Sequence, residues 1–475
     1  MDDQFPALVY SETVLAPNFE YAKKHFLESL IEIHYAHTRM LAKQGIVTEA
    51  EERTLISALD GLDRGRIATA EYDGSCEDLF YLIEGMLEET CGRDVAGKMH
   101  TARSRNDIAI TLYRMTARRE VLATLEHLAH LRGILLDLAA AHLETIMPAH
   151  THTQPAQPTT LAHYLLGACE FLDRDAARMQ SAFTRVNLCP MGAAAITTSG
   201  FPIDRAETAR LLGFEGLAEN SYGAIASIDY ITEAAAVLAI AMVNLGKLIQ
   251  DLLLWSTREF GFLRFSDAFV QSSSIMPQKR NPVALEHTRI LSSKALGEAQ
   301  AVLICAHNTP FGDINDSEDD LQPLVLTMFA DARRALRLLA GAMQTVVVDR
   351  ERMAQRAAKD FLTVTELADT LVRRLGISFR EAHDAVADAV RACGHDDHPS
   401  AIAAALKRVR PALGLNIQEI EKALDPVNFV RVRKIIGGPA PERTSEALAR
   451  ALERQRTLAA WLQSQSARLD AVRRR

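Results

Sequence analysis

The stretch from Ile231 to Phe260 constrains the fold of this chain more than any other. It reads ITEAAAVLAIAMVNLGKLIQDLLLWSTREF and carries apolar residues on several sides of a predicted helix. A membrane span needs about twenty nearly uncharged residues, whereas Glu233, Lys247 and Asp251 interrupt this stretch. The sequence therefore predicts a buried helix of a large bundle that contacts more than one neighbour.

Three further segments show apolar residues at spacings of three and four, which is typical of long helices. They run from Arg119 to Met147, from about Leu285 to Ala306, and from about Leu321 to Gln344. Alternating β-branched runs are scarce, so the predicted fold class is all-α. Because helices this apolar commonly bury their excess surface against copies of the same chain, we expect an oligomer.

The length and the shorter flanking segments predict more than one structural unit. At 475 residues the chain exceeds the usual size of a single hydrophobic core. We expect an N-terminal helical unit at 1–105, a central long-helix bundle at 106–360 and a small helical unit at 361–475.

Charge and cysteine content narrow the class of partner. The net charge of -8, with Lys and Arg spread along the chain, provides no basic stripe for nucleic acid and no polybasic membrane patch. A small-molecule partner is expected. Six widely spaced cysteines suit reduced thiols, and the start MDDQFPALVYSE lacks the pattern of a secretory signal, so we expect a cytoplasmic protein.

Three polar clusters flank the predicted long helices. They are HTARSRND at 100–107, AHTHTQPAQP at 149–158 and SSSIMPQKRNP at 272–282. Each alone has an ordinary explanation: a helix N-cap, a surface imidazole in a loop, and a serine-rich loop bounded by prolines. Their combination is what indicates chemistry.

Taken together, the clusters supply hydrogen-bond donors suited to holding carboxylates. These donors are Ser104, Arg105, Asn106, Thr151, Lys279 and Asn281. His152 and Glu286 add an imidazole and a carboxylate, the pairing of a base with a group that orients it. A serine of the third cluster could act as base if a mobile loop of backbone N–H groups, with Lys279 nearby, stabilised its alkoxide. The sequence thus predicts a site for a dicarboxylate.

The three motifs resemble those of the aspartase/fumarase superfamily and, within it, the argininosuccinate lyase family. SSSIMPQKRNP is similar to GSSxMPxKxNP, HTARSRND to HTGRSRND, and AHTHTQPAQP to GYTHLQxAQP. The segments MLAKQGI at 40–46, EDLFYLIE at 77–84 and DPVNFVRVRKIIGG at 425–438 also resemble that family. The resemblance covers nearly the whole chain, in the expected order.

The resemblance implies elimination of fumarate from an N-substituted L-aspartate. Ser273 would remove the proton, while Lys279 and Asn281 would hold the carboxylate and stabilise the dianion that forms. His152, paired with Glu286, would assist protonation of the leaving amine or bind substrate. The remaining implied substrate contacts are Ser104, Arg105, Asn106, Thr151, Gln154 and Ser274.

The same resemblance implies an all-helical fold of three units with a central long-helix bundle. It also implies a homotetramer in which three chains build each active site, and a reaction that needs no metal or organic cofactor.

Several departures from the family pattern concern the amine side of the substrate. Where the family reads PYNKDxQEDK, this chain has Phe311, Asp313, Asp316 and Asp319. His34 stands at the place of a substrate-binding serine, Phe80 replaces a histidine, and Ile228 replaces an arginine. Because unmatched polar groups are costly in a binding site, we expect a leaving amine other than arginine.

These changes favour an aminopolycarboxylate-type substrate, for which ethylenediamine-disuccinate lyases give a precedent. The acidic replacements suit an additional amine, and His34 is expected to contact a further carboxylate.

Three alternatives remain open at the sequence level. They are an authentic argininosuccinate lyase, a catalytically silent structural homologue of the lens-crystallin kind, and a fumarase-type or adenylosuccinate-type enzyme. The segment GHDDHPS at 394–400 suggests a metal site, but two histidines in a polar loop lack a full ligand set, so no metal is expected.

Overall fold

The computed structural model describes residues 5–473. Residues 1–4 and 474–475 lie outside the described residues, so the structure does not describe the first part of the segment MDDQFPALVYSE. The expectation of no secretory signal rests partly on those residues.

Short helices form the N-terminal part of the chain. They are α1 (Leu8–Tyr10), α2 (Ala16–His25), α3 (Leu27–Lys43), α4 (Glu49–Asp60), α5 (Arg64–Thr69), α6 (Leu79–Cys91) and α7 (Arg93–Lys98). A π-helical turn at Ser11–Leu15 joins α1 to α2.

Long helices dominate the middle of the chain. The elements there are α8 (Arg105–Ala141), α9 (Leu161–Val186), α10 (Arg205–Leu211), α11 (Ser221–Ala226), α12 (Asp229–Trp255), α13 (Val283–Ala306) and α14 (Gln322–Gln344). The remaining helices are α15 (Arg350–Ala357), α16 (Val364–Leu375), α17 (Phe379–Cys393), α18 (Pro399–Val409), α19 (Ile417–Ala423), α20 (Pro426–Arg431) and α21 (Pro441–Arg473).

Strands are short and form two-stranded pairs. They are β1 (Ile146–Thr151), β2 (Gln154–Thr160), β3 (Leu188–Cys189), β4 (Gly216–Leu217), β5 (Leu263–Arg264), β6 (Gln271–Ser272), β7 (Arg280–Asn281) and β8 (Val347–Val348). The pairs β1–β2, β5–β8 and β6–β7 are antiparallel, and β3–β4 is parallel. The fold class is therefore all-α, as expected.

The bundle core forms where α12 packs between α9 and α13 and α8 packs against α9 and α14. By length and composition alone, α12 is the one described helix that could cross a membrane, a test that core helices of soluble proteins also pass. Its packing agrees with a bundle core helix. Ile240, Val243 and Leu254 on α12 and Ile290 on α13 nevertheless remain exposed in the single chain.

The helix predicted from Arg119 to Met147 has different ends in the structure. It begins at Arg105, because the Ser104 side chain and Asp107 form a capping box at its N-terminus. It ends at Ala141, and the apolar residues that follow belong to β1. Pro148 in that strand disfavours helical backbone for the residue before it. The prediction took the apolar start of a strand for the end of a helix.

The packing differs from the predicted three-unit division at two places. A separate small core covers residues of α16 to α19, whereas α21, expected in the unit 361–475, packs on α8 and α9. The fully buried Arg132 donates to the Ala451 carbonyl and forms an ion pair with Asp173. The short N-terminal helices share the core of the long helices. The boundaries at 105 and 360 stay a prediction.

Candidate active site

The first motif lies at the N-terminus of α8. Ser104 is the N-cap residue, and its hydroxyl accepts from the Asn106 N–H and donates to the Asn106 side-chain oxygen at 2.8 Å. Asp107 is buried and accepts from the backbone N–H groups of Ser104, Gly192 and Ala194, each at 2.9 Å. Burial nevertheless raises the Asp107 pKa to about 6. Hydrogen bonds thus connect the start of α8 to the loop that contains Gly192 and Ala194.

Arg105 and Asn106 face acidic groups in the same chain. Arg105 forms ion pairs with Asp78 at 2.7 Å and Glu77 at 3.0 Å. The Asn106 amide donates to the Asp313 carboxylate. Both predicted carboxylate-binding side chains therefore have partners in this conformation.

A pocket of about 290 Å³ opens beside these two residues. Its polar lining includes Glu77, Asp78, Asp313, Glu318, Asp319 and Asp320, with Arg105 and Asn106. Phe80 of α6 and apolar side chains of α2, α3 and α8 also line the pocket. Burial, together with the negative charge of Asp313, raises the Glu318 pKa to about 8. The pocket combines negative charge with an apolar wall.

Two of the expected departures from the family pattern lie in this acidic lining. Asp313 accepts from Asn106, and Asp319 accepts from the Tyr113 hydroxyl at 2.5 Å. Phe311, by contrast, is exposed and lies against the Tyr222 ring. The pocket lining does not include Asp316 or Ile228.

His34 does not reach the pocket, and the expectation that it contacts a substrate carboxylate is corrected here. Its exposed fraction is 0 %, and its Nδ1 accepts from the Arg103 guanidinium at 2.9 Å. Burial and the Arg103 charge hold the His34 pKa well below its ordinary value. The reason is positional, because α3 turns this residue inward toward the core.

The second motif forms the tip of the β1–β2 hairpin. Thr151 pairs with Gln154, and the two residues between them, His152 and Thr153, have φ values of 51° and 64°. Such a two-residue loop requires positive φ at both positions, which is uncommon for β-branched residues such as threonine. Strain of this kind concentrates at functional sites. The hairpin presents the exposed side chains of Thr151, His152 and Gln154 to solvent.

The third motif is a loop closed by the β6–β7 pair. The Ser273 hydroxyl oxygen accepts from the backbone N–H groups of Ile275 at 3.3 Å and Met276 at 3.1 Å. Two such donors favour a negative charge on that oxygen. Ser274 and Lys279 are exposed, and Asn281 is half-buried. The loop therefore places two backbone donors against the Ser273 oxygen.

Glu286 lies in the first turn of α13, close along the chain to this loop, and is exposed. Among the residues that the structure describes, Glu286 and His152 form no hydrogen bond with one another. The expected pairing of the two is not made within the chain.

The second and third motifs lie at the same end of the bundle. The ring of His150 in β1 lies 5.7 Å from that of Phe260, just beyond α12. Arg258 in the same turn donates to the Gln278 carbonyl of the loop at 3.0 Å.

The first motif lies far from the hairpin tip. The 37 residues of α8 span about 55 Å at about 1.5 Å per residue. Residues 142–152, even if fully extended, return over at most about 38 Å. Ser104 and His152 of one chain therefore stay roughly 17 Å or more apart. One small dicarboxylate cannot contact both.

Sequence reasoning missed Glu318 and the role of Phe80 as a wall of the pocket. Glu318 belongs to the acidic run DSEDD, and its pocket position follows from the turn that precedes α14. Phe80 was noted only as a replacement. Within residues 5–473, no group of three or more His, Cys, Asp or Glu side chains is placed to hold a metal ion.

Comparisons with known proteins show similar sequences and similar solved structures. Residues 19–297 match a family model described as lyase, and residues 361–431 match one described as argininosuccinate lyase C-terminal. The chain is 42% identical to argininosuccinate lyase 2 of Agrobacterium fabrum, over 94% of this chain and 90% of that protein. It is 40% identical to argininosuccinate lyase of Methanoculleus marisnigri, over 92% and 90%. Among solved structures, EDDS lyase in complex with formate has a TM-score of 0.86 and 34% identity, over 98% of this chain and 94% of that one.

Proposed function

Because this chain belongs to the argininosuccinate lyase family of the aspartase/fumarase superfamily, we propose that it releases fumarate from an N-substituted L-aspartate whose leaving amine carries a second positive charge. Membership supports a carbon–nitrogen lyase that releases fumarate in general. The identity of the amine is the new part of the proposal. The reaction is reversible, so the same site would add the amine to fumarate.

The observation that carries the proposal is the acidic lining of the pocket beside Arg105 and Asn106. Glu318 lies among Asp313 and Asp319, and a cationic group placed there would lower the repulsion between these carboxylates. Ethylenediamine-disuccinate has the required second amine, and EDDS lyase is among the similar solved structures.

The mechanism assigns the chemistry to the other end of the bundle. Ser273 removes the proton from the carbon next to the distal carboxylate, with its anion held by the Ile275 and Met276 N–H groups. Lys279 and Asn281 then stabilise the dianion that forms. His152, oriented by Glu286 of another chain, would assist protonation of the leaving amine.

The substrate contacts come from all three motifs in this proposal. They are Ser104, Arg105, Asn106, Thr151, Gln154 and Ser274, with Asn281 on the carboxylate.

The distance between the motifs supports a site shared between chains, and we propose that the assembly is a homotetramer. Ser104 and His152 of one chain are too far apart to hold one substrate, so different chains supply them. The exposed apolar residues of α12 and α13 would be covered in such an assembly. We place this tetramer in the cytoplasm, with a small dicarboxylate substrate and no cofactor.

A second candidate is an authentic argininosuccinate lyase that yields arginine and fumarate. The names of relatives about 40% identical over nine tenths of the chain favour it. Arginine also carries a second positive charge, its α-ammonium group, so turnover of the two substrates is what separates the candidates.

Fumarate release, followed by its ultraviolet absorbance, separates the two candidates. The purified protein is given ethylenediamine-disuccinate and argininosuccinate in separate assays. We expect the higher kcat/KM for ethylenediamine-disuccinate. Faster turnover of argininosuccinate would refute the proposed amine and establish the second candidate.

Removal of one acid tests how the amine is recognised. Glu318→Gln is expected to raise the KM of ethylenediamine-disuccinate about tenfold, because it removes a carboxyl group that can ionise when a cationic amine binds beside it. Asp316→Asn is the control, since that residue does not line the pocket. An unchanged KM in Glu318→Gln would show that this carboxylate does not face the amine.

A further inference from the structure

Phe80 lies where the pocket meets the buried core. It lines the pocket together with the acidic residues, yet only 5 % of the residue is exposed. A ring in this position is an apolar surface that a molecule in the pocket contacts without displacing the core.

The Phe80 ring is held by aromatic contacts on several sides. The rings of His34, His100 and Tyr81 lie 5.8, 5.6 and 5.4 Å from it, at interplanar angles of 64°, 62° and 73°. These are edge-to-face contacts, the arrangement that aromatic pairs favour. The guanidinium of Arg103 lies 5.5 Å from the ring centroid. A change at any of these groups should alter where the ring sits.

Arg103 depends on His34 for its own position. Both residues are buried, and since arginine can only donate, the 2.9 Å contact makes His34 Nδ1 the acceptor. Among the described residues, Arg103 Nε and Nη2 have no hydrogen-bond partner. The bond to His34 is therefore the side-chain hydrogen bond that fixes the guanidinium beside the Phe80 ring.

We propose that Phe80 is a specificity-determining wall of the amine pocket, and that His34 and Arg103 are positioning residues that hold its ring. The inference rests on the proposed function only in assigning the leaving amine to this pocket. It gives the buried His34 a role through its neighbour in place of direct contact with substrate. It also explains how replacements at 34 and 80 act together.

The direct test replaces the wall. The ratio of kcat/KM values for ethylenediamine-disuccinate and argininosuccinate is measured in wild type and in Phe80→Leu. In the variant, kcat/KM for the substrate that wild type prefers should fall about tenfold relative to kcat/KM for the other substrate. Inhibition by fumarate should stay unchanged, because fumarate lacks the amine. Phe183→Leu is the matched control, since Phe183 is fully buried against Trp461 and does not line the pocket. A ratio within twofold of wild type in Phe80→Leu would overturn the proposal.

The positioning role is tested by two replacements of His34. His34→Asn keeps an acceptor for Arg103, whereas His34→Leu fills similar space without one. We expect His34→Leu to shift the substrate ratio in the same direction as Phe80→Leu, and His34→Asn to restore most of the wild-type ratio. Equal ratios in wild type and His34→Leu, with melting temperatures showing folded protein, would refute the role of His34.

The outcomes for the two proposals are separable. The proposed amine fails if wild-type protein prefers argininosuccinate. The role of Phe80 fails only if its replacement leaves the wild-type preference intact, whichever substrate that is.

Discussion

Ser273 is the residue whose surroundings most directly suit a chemical step. Its hydroxyl oxygen accepts from two backbone N–H groups of its own loop, and such donors stabilise an oxyanion without needing to move. The sequence predicted a serine base from its motif. The two backbone donors could not be assigned from the residue types, because any residue has an N–H group and only the turn aims it.

Replacement of Ser273 by alanine should therefore abolish activity and leave the protein folded. We expect kcat to fall by at least about 10²-fold, since the proton acceptor is lost, with an unchanged helical circular dichroism spectrum. Fumarate release gives the rate. Ser272→Ala, one residue earlier in the same loop, is the control. Wild-type turnover in Ser273→Ala would mean that another group removes the proton.

Glu318 couples the stability of the protein to pH. The pKa rises from the ordinary 4.5 to about 8, through burial and the Asp313 charge. Between these pH values the folded state binds more protons than the unfolded state, so the free energy of unfolding falls as pH rises. Glu318→Gln should remove this fall. The free energy of unfolding of the variant should therefore rise relative to that of wild type by on the order of 1 kcal/mol between pH 5 and pH 8, after allowance for solvent screening.

Urea unfolding at pH 5 and pH 8 measures this difference. Asp316→Asn, an exposed change in the same segment, should show no comparable gain. A constant difference between Glu318→Gln and wild type across the range would mean that Glu318 is ionised throughout.

At the scale of elements, the turn before α8 carries backbone strain. Ala102 has a φ of 60°, a conformation that costs an L-residue about 1–2 kcal/mol. Ala102→Gly is expected to raise the free energy of unfolding by about 1 kcal/mol, as measured by urea unfolding. Ala123→Gly inside α8 should lower it by about 0.5–1 kcal/mol. Destabilisation by both changes would show that the Ala102 methyl group makes contacts that outweigh its strain.

The docking of α21 depends on a buried ion pair. Arg132 is fully buried and pairs with Asp173 on α9, while it also donates to the Ala451 carbonyl of α21. Asp173→Asn should lower the free energy of unfolding by about 3 kcal/mol, because it leaves the guanidinium without its buried counter-charge. Asp137→Asn, exposed on α8, is the control. An effect below about 0.5 kcal/mol would mean that the Gln455 side-chain oxygen and the Ala451 carbonyl suffice as acceptors for Arg132.

The helices were predictable where apolar periodicity is long and uninterrupted. The predicted segments near 285–306 and 321–344 agree closely with α13 and α14. Errors arose where tertiary packing decides. Met147 continues an apolar run but pairs with Thr159 in a hairpin. His34 fits a helix pattern equally well on either face, and only the packing of α3 shows that it points inward.

At the scale of the whole molecule, the three motifs were predictable as a set, but their arrangement was not. Sequence order places Ser104 and His152 at the two flanks of one helix, and α8 then separates them by its length. The hairpin and the serine loop share the opposite end of the bundle. In the proposed reaction, different chains would therefore supply the motifs of one site.

Mixed assemblies test this arrangement. Ser273→Ala and Ser104→Ala are each expected to be inactive alone. The two variants are co-expressed with different affinity tags, and the mixed assemblies are purified through both tags. These assemblies should recover about a quarter of wild-type activity. With random mixing in a symmetric oligomer, one site in four receives both intact residues from different chains. Two Ser273→Ala chains carrying the same two tags serve as the control. If doubly tagged assemblies of the two variants stay inactive, one chain must supply both residues, and the separation along α8 would have to be bridged by a rearrangement that this fold does not suggest.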